Sequence, residues 1–368
     1  MKEKVAIIFG GKSVEHDISI ITAMQAAKVL PEKFDYVFCY IDKTGLWWTA
    51  DNMQDITIYE NFQKKAKKLR QISLVMGENL LLIKKGNKFV HWQKVCAVLN
   101  CCHGNGGEDG ALQGVLKMCD VPVTCAGVTS SALCMDKAFM KDVLLANKIK
   151  TPEYVVCKKG EFEKSAIKKL KFPLVVKPAN LGSSIGISVC REEGEIDDAI
   201  ELAFEFDRKI VVEKMVENLR EFNCACFKFH GEDFISCVNE VTNKGDIFSF
   251  EDKYLSSSST NQETHNNLAN KIKKLTQKVY NLFDCKGVVR VDFLYDEVEE
   301  ELYVNEINSI PGSLAFYLFK DFMFADLLEA MIGEALDDFK EEKKLVKGFE
   351  STALQIFENA SSTSKSGK

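Results

Sequence analysis

The sequence predicts an α/β protein of more than one domain, and two observations support this fold class. First, a short apolar run from Val5 to Phe9 is followed by a glycine-rich turn, an amphipathic stretch and a second apolar run from Tyr36 to Ile41. This β-α-β order favours a parallel sheet. Second, 368 residues are too many for one small domain and are sufficient for two or three.

The rest of the chain continues this mixture of strands and helices. We expect consecutive short strands over 72–93, a buried strand over 95–102 and a helix over 111–118. One continuous helix is predicted over 131–147, with Lys137 in its first half. The remaining predicted strands span 121–125, 151–160, 172–179, 209–216, 221–229, 234–241, 287–295 and 301–308, and further helices span 192–207 and 268–282.

These elements divide into four segments. We expect an N-terminal parallel α/β domain at 1–126, a central lobe at 127–212 and a C-terminal lobe at 213–350. A polar loop interrupts the C-terminal lobe. The last segment, 351–368, ends in the low-complexity run ASSTSKSGK, so a disordered tail is predicted there.

The composition argues against several classes of protein. The chain has 48 basic and 54 acidic side chains and a net charge of −6, a balance that argues against a nucleic-acid partner. No apolar run approaches the roughly 20 residues that a membrane-spanning helix needs, so no membrane partner is expected. The N-terminus leads directly into a predicted strand, without a charged and apolar leader. We therefore expect a cytoplasmic protein.

Thirteen cysteines occur without a paired Cys-x-x-Cys of metal-binding spacing. Several lie in apolar runs, and Cys224 and Cys226 occupy alternate positions of a predicted strand. We expect reduced thiols that act as small buried residues, and neither a disulfide framework nor a metal cluster.

Two predicted C-terminal strands carry polar residues at alternate positions. Arg290 alternates with Asp292 on one strand, and Glu306 alternates with Asn308 on the other. Alternate side chains of a strand point to one face, so a cation, two carboxylates and an amide would face one space. Oxygen ligands of this kind suit Mg²⁺. A solvated sheet face with an incidental ion pair explains the same pattern equally well.

A loop rich in glycine and serine follows the predicted strand that ends at Lys177. The run GSSIG, residues 182–186, offers backbone N–H groups and hydroxyls that suit phosphate oxygens. It matches neither the P-loop nor the dinucleotide-binding pattern, and such a loop alone is often only a turn. Together with Lys137, Lys177 and the acidic strands, it indicates a nucleoside triphosphate held between lysines and metal ions.

Three further segments place polar groups near strand ends. His103 lies in the run HGNGGEDG at the exit of a strand, where α/β proteins place ligands. Glu15 lies near the start of the first helix and could bind a substrate ammonium. Glu213 and Glu221 could accept hydrogen bonds from an adenine and a ribose. Each has a purely structural alternative. His103 could be a buried structural histidine, Glu15 a first-turn acid favoured by the helix dipole, and Glu213 and Glu221 part of a solvated charged edge.

Taken together, these segments resemble the D-alanine–D-alanine ligases of the ATP-grasp superfamily. The matching runs are GGKSVEHDIS, HGNGGEDGALQG, MDKAFMKDVL, VVKPANLGSSIGIS, EDKYLS, RVDF and NEINSIPG. They occur in order between about residues 4 and 345, and only 44–94 and the tail lie outside the resemblance. It implies the ATP-grasp fold, in which an N-terminal substrate-binding domain is joined to two α+β lobes that clamp ATP.

The resemblance implies an ATP-dependent ligase that forms D-alanyl-D-alanine for peptidoglycan. ATP would convert a D-alanine carboxylate to an acyl phosphate, and the amine of a second amino acid would then displace phosphate. The implied ATP-binding residues are Lys137, Lys177, Glu213, Lys214, Val216 and Glu221. Asp292, Glu306 and Asn308 would bind two Mg²⁺ ions, which Mn²⁺ could replace.

The resemblance implies a second set of residues for the reacting amino acids. Glu15 would hold the first ammonium in a hydrogen-bond network with Ser183 and Tyr254. Arg290 would stabilise the oxyanion of the tetrahedral intermediate, and Gly312 would bring backbone close to the reacting carbon. The implied substrate-binding residues are His103, Lys253, Tyr317 and Leu318. The segment 247–267 would close over the site as a lid, since an acyl phosphate hydrolyses when water reaches it.

The sequence departs from the family on the acceptor side. After NEINSIPG it has SLAFYLF, where the family carries threonine and serine residues, one of which contacts the second substrate. The stretch after KYLS also lacks the family's aromatic and proline residues. Two alternatives therefore remain, a ligase with another acceptor such as D-serine and an inactive nucleotide-binding regulatory relative. The joint presence of the implied lysines, arginine and metal ligands argues against the inactive relative. The family suggests a homodimer.

Overall fold

Three β-sheets organise the described part of the chain in the computed structural model. The structure describes residues 2–60, 62–162, 164–241, 262–264, 266–346 and 348–363. Lys253 and Tyr254, with most of the segment predicted to form a lid, lie outside these residues. The mixture of helices and sheets confirms the predicted α/β class.

The N-terminal part of the chain folds around a seven-stranded sheet. Its elements are β1 (Glu3–Gly10), α1 (His16–Val29), β2 (Phe34–Ile41), β3 (Trp47–Thr49), α2 (Thr57–Glu60), α3 (Phe62–Lys65), a 3-10 turn (Ala66–Lys68), β4 (Arg70–Val75), β5 (Glu78–Lys85), β6 (Lys88–Lys94), β7 (Ala97–Asn100) and α4 (Ala111–Met118). The strand order is β6-β5-β4-β3-β2-β1-β7. Strand β1 pairs in parallel with β2 and β7, which confirms the predicted opening unit. It is buried from Val5 to Phe9, as a central strand covered on both faces should be.

An antiparallel four-stranded sheet forms the central lobe. Its elements are α5 (Val128–Met135), α6 (Lys137–Ala146), β8 (Tyr154–Lys158), α7 (Lys164–Ile167), β9 (Leu174–Pro178), β10 (Ser188–Cys190), a 3-10 turn (Glu193–Glu195), α8 (Ile196–Phe206) and β11 (Lys209–Lys214). The strand order is β10-β9-β11-β8. Strand β11 stays paired with β8 and β9 as far as Glu213, so this sheet continues past the boundary predicted at residue 212.

A six-stranded sheet forms the C-terminal lobe. Its elements are β12 (Leu219–Phe229), β13 (Glu232–Ile235), β14 (Asn239–Val241), β15 (Gln262–Glu263), α9 (Asn267–Leu282), β16 (Val289–Asp296), β17 (Glu301–Asn308), a 3-10 segment (Gly312–Leu318), α10 (Phe324–Lys344) and α11 (Ala353–Thr363). Cys224 and Cys226 of β12 pack with α9, whereas Ala225 and Phe227 join the core of the N-terminal domain and α10. This shared core packs the N-terminal domain against the C-terminal lobe.

A β-bulge sets the two faces of β17. Asp292 pairs with Glu306, but Phe293 pairs with Val304, so Asn305 is an extra residue on this strand. The bulge puts Val304 and Ile307 on the same buried face despite their three-residue spacing. Glu306 consequently stays beside Asp292 on the opposite, polar face.

The helix predicted over 131–147 is in fact two helices, so that prediction was wrong. Helix α5 ends at Met135, and Asp136 adopts an extended conformation as the N-cap of α6. The Asp136 carboxylate accepts hydrogen bonds from the backbone N–H groups of Ala138 and Phe139. These bonds satisfy the free donors of a new helix start, which interrupts the first helix. Lys137 is therefore the first residue of α6.

Replacing Asp136 with alanine is expected to lower the free energy of unfolding by roughly 1–2 kcal/mol. The helix would lose its cap, and Lys209 would lose the carboxylate with which it forms an ion pair. Urea denaturation measures the loss. The control is Asp198→Ala, at an exposed position in the first turn of α8, which should lower the free energy of unfolding by about 0.5 kcal/mol or less. Equal losses at the two positions would contradict the capping role of Asp136.

Two further predictions differ from the structure. The strand predicted at 121–125 is reduced to a single bridge between Val98 and Val123, next to a proline that lacks a donor. The tail predicted to be disordered contains helix α11, which begins before the low-complexity run. Eleven of the thirteen cysteines are buried, as predicted for small core residues, and the described chain contains no disulfide.

Candidate active site

The N-terminal domain meets the central lobe through Glu15 and Ser183. Glu15 directly precedes α1, and Ser183 lies in the glycine-rich loop that follows β9. The Ser183 hydroxyl donates a hydrogen bond to the Glu15 carboxylate, and both side chains are buried. Ser183 adopts a left-handed backbone conformation with φ of 55°, which costs a non-glycine residue about 1–2 kcal/mol. The structure thus brings together two residues that the sequence places 168 positions apart.

His103 connects the N-terminal domain to the segment after β17. Its Nδ1 lies 2.8 Å from the carbonyl oxygen of Ile310, so this nitrogen must carry the proton and donate. Its Nε2 then accepts from the Thr22 hydroxyl at 2.8 Å, and Thr22 Oγ1 accepts from the backbone N–H of Ser313 at 3.0 Å. Burial, aided by the charge of Arg290, lowers the pKa of His103 to about 4. The ring is therefore neutral at physiological pH and orders the segment around Gly312.

Glu108 is a site residue that the sequence analysis missed. Its two carboxylate oxygens accept backbone hydrogen bonds from Gly104 at 2.7 Å and Ile310 at 3.0 Å. Burial and the nearby charge of Glu15 raise the pKa of Glu108 to about 8. The available signal was its position in the run HGNGGEDG, where the interpretation used the histidine, the glycines and Asp109 but not Glu108.

Replacing Glu108 with glutamine should change how stability depends on pH. A raised pKa means that the folded protein holds a proton that the unfolded chain releases between about pH 4.5 and 8. The free energy of unfolding of the unmodified protein should therefore fall across this window relative to the variant, by at least about 1 kcal/mol. Denaturation at pH 5, 6.5 and 8 measures the difference, with the exposed Glu232→Gln as control. Parallel curves would refute the shifted pKa.

All six residues implied for ATP binding line one cavity between the central and C-terminal lobes. The lining includes Lys137, Lys177, Gly182, Ser184, Glu213, Lys214, Val216, Glu221 and Glu306. The Lys137 ammonium donates to the carbonyl oxygen of Leu181 at 2.6 Å and lies 3.9 Å from Glu306. The Lys177 ammonium donates to Glu213 at 2.8 Å and to Asn305 at 3.2 Å. The Glu213 carboxylate is thus engaged by lysine, where the sequence analysis considered an adenine contact.

Lys141 is a second residue that the sequence analysis did not single out. It lies on the buried face of α6, between Lys137 and Leu144, and its side chain is 0% exposed. Its ammonium lies 3.2 Å from Glu213 and donates to the Thr151 hydroxyl at 2.6 Å. Its helical spacing of four from Lys137 and three from Leu144 was the available signal.

The polar strand face predicted from alternation is present on β16 and β17. Arg290 binds both oxygens of Asp292 with two guanidinium N–H groups, at 2.7 and 2.8 Å. The Asn308 amide donates to Asp292 at 3.0 Å, and Glu306 is the cross-strand neighbour of Asp292. In the described chain no three acidic, histidine or cysteine side chains form a metal cluster, and this face combines two carboxylates with an amide. The half-buried carboxylates and the amide oxygen form a set that suits Mg²⁺.

The acceptor-side residues lie in the 3-10 segment after β17. The Arg290 guanidinium lies 3.4 Å from the Tyr317 hydroxyl, so Tyr317 borders the polar face. The Leu318 side chain is instead buried in the shared core, and its carbonyl accepts from the backbone of Cys237. Ser313, Leu314 and Ala315 all have φ near 50°, which places strained backbone directly after Gly312.

The fold and these contacts define a class of protein. A cavity lined by lysines between two α+β lobes, with a carboxylate face at one side and a buried Glu15 at the other, is the arrangement of an ATP-grasp ligase. Family models for the N-terminus and the C-terminus of D-ala D-ala ligase match residues 4–126 and 143–330. The chain belongs to the D-alanine–D-alanine ligase family, and it is an ATP-dependent, ADP-forming ligase.

Individual relatives agree with the family models. A D-alanine–D-alanine ligase of Thermosipho melanesiensis is 37% identical over 92% of this chain and 95% of its own length. The structure of the D-alanine–D-alanine ligase of Coxiella burnetii aligns with a TM-score of 0.78 at 25% identity, over 93% of this chain and 98% of that chain. The VanG D-Ala:D-Ser ligase of Enterococcus faecalis aligns with a TM-score of 0.79 at 29% identity, over 91% of this chain and 100% of that chain. Among the described helices, none is both long enough and apolar enough to span a membrane.

Proposed function

We propose that this ligase joins two D-alanine molecules through an acyl phosphate made with ATP, and so supplies dipeptide for peptidoglycan. The observation that carries the proposal is the hydrogen bond between Ser183 and Glu15. Gly182, the neighbour of Ser183, lines the nucleotide cavity. An amino acid whose ammonium binds Glu15 would therefore have its carboxylate directed toward the transferable phosphate.

The substrate side has one carboxylate for the substrate ammonium and several groups that orient it. Glu15 would bind the ammonium of the first D-alanine, and Ser183 would hold the carboxylate of Glu15 in place. Neutral His103 would order the segment that carries Gly312, whose backbone would approach the reacting carbon. Lys253 and Tyr254 would complete the closed site from the lid, as the resemblance implies.

Arg290 is the residue we assign to the developing oxyanion. Its charge helps to lower the pKa of His103 and partly offsets the rise in the pKa of Glu108, which supports its place in the same polar space. A preorganised guanidinium that faces developing negative charge stabilises a transition state more than its ground state. Tyr317 lies beside Arg290 and would border the second amino acid, while Leu318 would act through the core beneath it.

On the nucleotide side, lysines would contact the phosphates, and residues at the end of β11 and after it would contact the base. Lys137 and Lys177 would contact the phosphates. Lys214 at the end of β11 and Val216 after it would flank the adenine, and Glu221 would accept hydrogen bonds from the ribose. Because Glu213 binds lysine ammonium groups, we assign it to holding Lys177 in place in addition to any contact with the base.

Asp292, Glu306 and Asn308 would hold two divalent ions, Mg²⁺ or Mn²⁺. Bound there, these ions would neutralise the charge of the ATP phosphates. Asp292 would then share its oxygens between Arg290 and the metal site, and Glu306 would do so between Lys137 and the metal site. We also propose a homodimer that works in the cytoplasm, as the family suggests. Light scattering of the purified protein tests the dimer.

A product assay tests the proposed function. Purified protein is incubated with ATP, Mg²⁺ and D-alanine, alone or with D-serine, L-alanine or D-lactate, and products are identified by mass. We expect phosphate release that requires D-alanine, and D-alanyl-D-alanine as the main product. Mixed products that predominate over D-alanyl-D-alanine would favour the other-acceptor ligase, and ATP binding without phosphate release would favour the inactive relative.

A further inference from the structure

The cluster formed by Lys141, Glu213 and Lys177 contains more positive than negative charge. Lys177 contacts one oxygen of Glu213 at 2.8 Å, and Lys141 lies 3.2 Å from the other oxygen. Glu213 is 2% exposed, so its charge is shielded from water and must be balanced locally. One carboxylate between two ammonium groups gives a net charge of +1 when both lysines are protonated.

Burying Lys141 has a cost that packing alone does not explain. Burial lowers the pKa of Lys141 to about 8, while the charge of Glu213 opposes the shift. Its remaining contacts are the Thr151 hydroxyl and the face of the Tyr154 ring, 5.5 Å from the ammonium. Apolar residues in place of both Lys141 and Glu213 would fill the same space without buried charge, and replacing a whole buried ion pair in this way often leaves stability unchanged or raises it. The charge of Lys141 therefore needs a functional reason.

We propose that Lys141 is a positioning residue of the nucleotide site, which neutralises Glu213 so that the ammonium of Lys177 stays available to the ATP phosphates. This inference rests on the proposed contact between Lys177 and phosphate. Without Lys141, the cluster would carry no net charge, and Glu213 would hold Lys177 in a buried ion pair. The phosphates would then have to compete with Glu213 for Lys177.

A double variant distinguishes an effect of the Lys141 charge from an effect of its volume. Lys141→Met removes one positive charge and leaves a cluster of net zero charge. Lys141→Met combined with Glu213→Gln removes both charges of that pair, and Lys177 alone then restores the net charge of +1. If Lys141 acts through charge, the double variant should bind nucleotide better than the single variant. If Lys141 only fills space, the second substitution should not recover binding.

The readout is equilibrium binding of ADP, with adenosine as a ligand that has no phosphates. We expect Lys141→Met to weaken ADP binding roughly tenfold, the effect of about 1.4 kcal/mol, with adenosine affinity measured by competition nearly unchanged. The double variant should recover most of the loss. Equal weakening of ADP and adenosine, or no recovery in the double variant, would overturn the inference.

Two further variants keep the test decisive. Lys177→Met examines the proposed function, because ADP binding like that of the unmodified protein would refute the phosphate contact itself. Weakened binding by Lys177→Met together with unchanged binding by Lys141→Met would refute only the role of Lys141. Should Lys141→Met fail to fold, Lys141→Gln removes the same charge and can keep a hydrogen bond to Thr151.

Discussion

Replacing Asp292 with asparagine is expected to remove most of the ligase turnover while the fold is retained. Asp292 lies on β16, where Arg290 binds both of its oxygens and Glu306 is its cross-strand neighbour. Asparagine keeps the size of the side chain and one acceptor oxygen, so the strand pairing should persist. It removes the negative charge that the proposed metal site requires, and we expect kcat to fall roughly 100-fold or more.

Phosphate release at saturating substrates measures this effect, and thermal unfolding verifies the fold. The matched control is Asp296→Asn, the same chemical change four residues further along β16. Asp296 accepts backbone hydrogen bonds from Val298 and Glu299, and asparagine can accept them as well. The control should retain its turnover. Turnover by Asp292→Asn within threefold of the unmodified protein would contradict the place of Asp292 in the metal site.

Replacing Gly104 with alanine is expected to disable binding of the first amino acid. A Cβ atom at this position would lie 2.6 Å from the Glu15 carboxylate and 2.3 Å from the Ser13 hydroxyl. Both distances are far below van der Waals contact, so the side chains of Ser13 and of Glu15, which lies beside Ser183, would have to leave their positions. A displacement of about 1 Å in a substrate-positioning group can cost roughly 100-fold in kcat/KM. We expect that loss mainly as a higher KM for D-alanine.

Gly106 supplies the matched control in the same loop. Both glycines have positive φ, 70° at Gly104 and 83° at Gly106, so alanine strains the backbone at either position. A Cβ atom on Gly106 would meet nothing within 4 Å. Gly106→Ala should therefore lose about 1 kcal/mol of stability with its KM for D-alanine unchanged. Equal KM values for the two variants would show that Glu15 is not confined by this loop.

Local patterns in the sequence predicted much of the fold. Strand β1, helix α4 and the hairpin of β5 and β6 follow from apolar runs, helical periodicity and turn residues, all of which act over a few neighbours. The break at Asp136 was missed because aspartate is tolerated inside a helix and caps one equally well. Which of these roles Asp136 takes depends on the hydrogen bond from the backbone N–H of Lys137 to the carbonyl oxygen of Ala179, 42 residues away in sequence.

The site was predictable as a set of residues, but its charge balance was not. The order of the motifs was enough to select Glu15, Ser183, Arg290 and Asp292. In the structure Ser183 forms a hydrogen bond with Glu15, and Arg290 forms hydrogen bonds with Asp292. Glu108 was missed because the pattern around it is dominated by glycine. Lys141 was missed because lysine on a short helix ordinarily faces water.

The sequence by itself determined which elements form, which family the chain resembles and which side chains are available for chemistry. These properties depend on short-range periodicity, on turn chemistry and on motifs that can be read in order. Only the tertiary structure decided that Asn305 bulges, that Glu213 lies between two lysines and that the half-buried Glu108 lies near the charge of Glu15. The physical reason is that burial and the energies of charge pairs depend on which distant segments meet, and no local pattern contains that information.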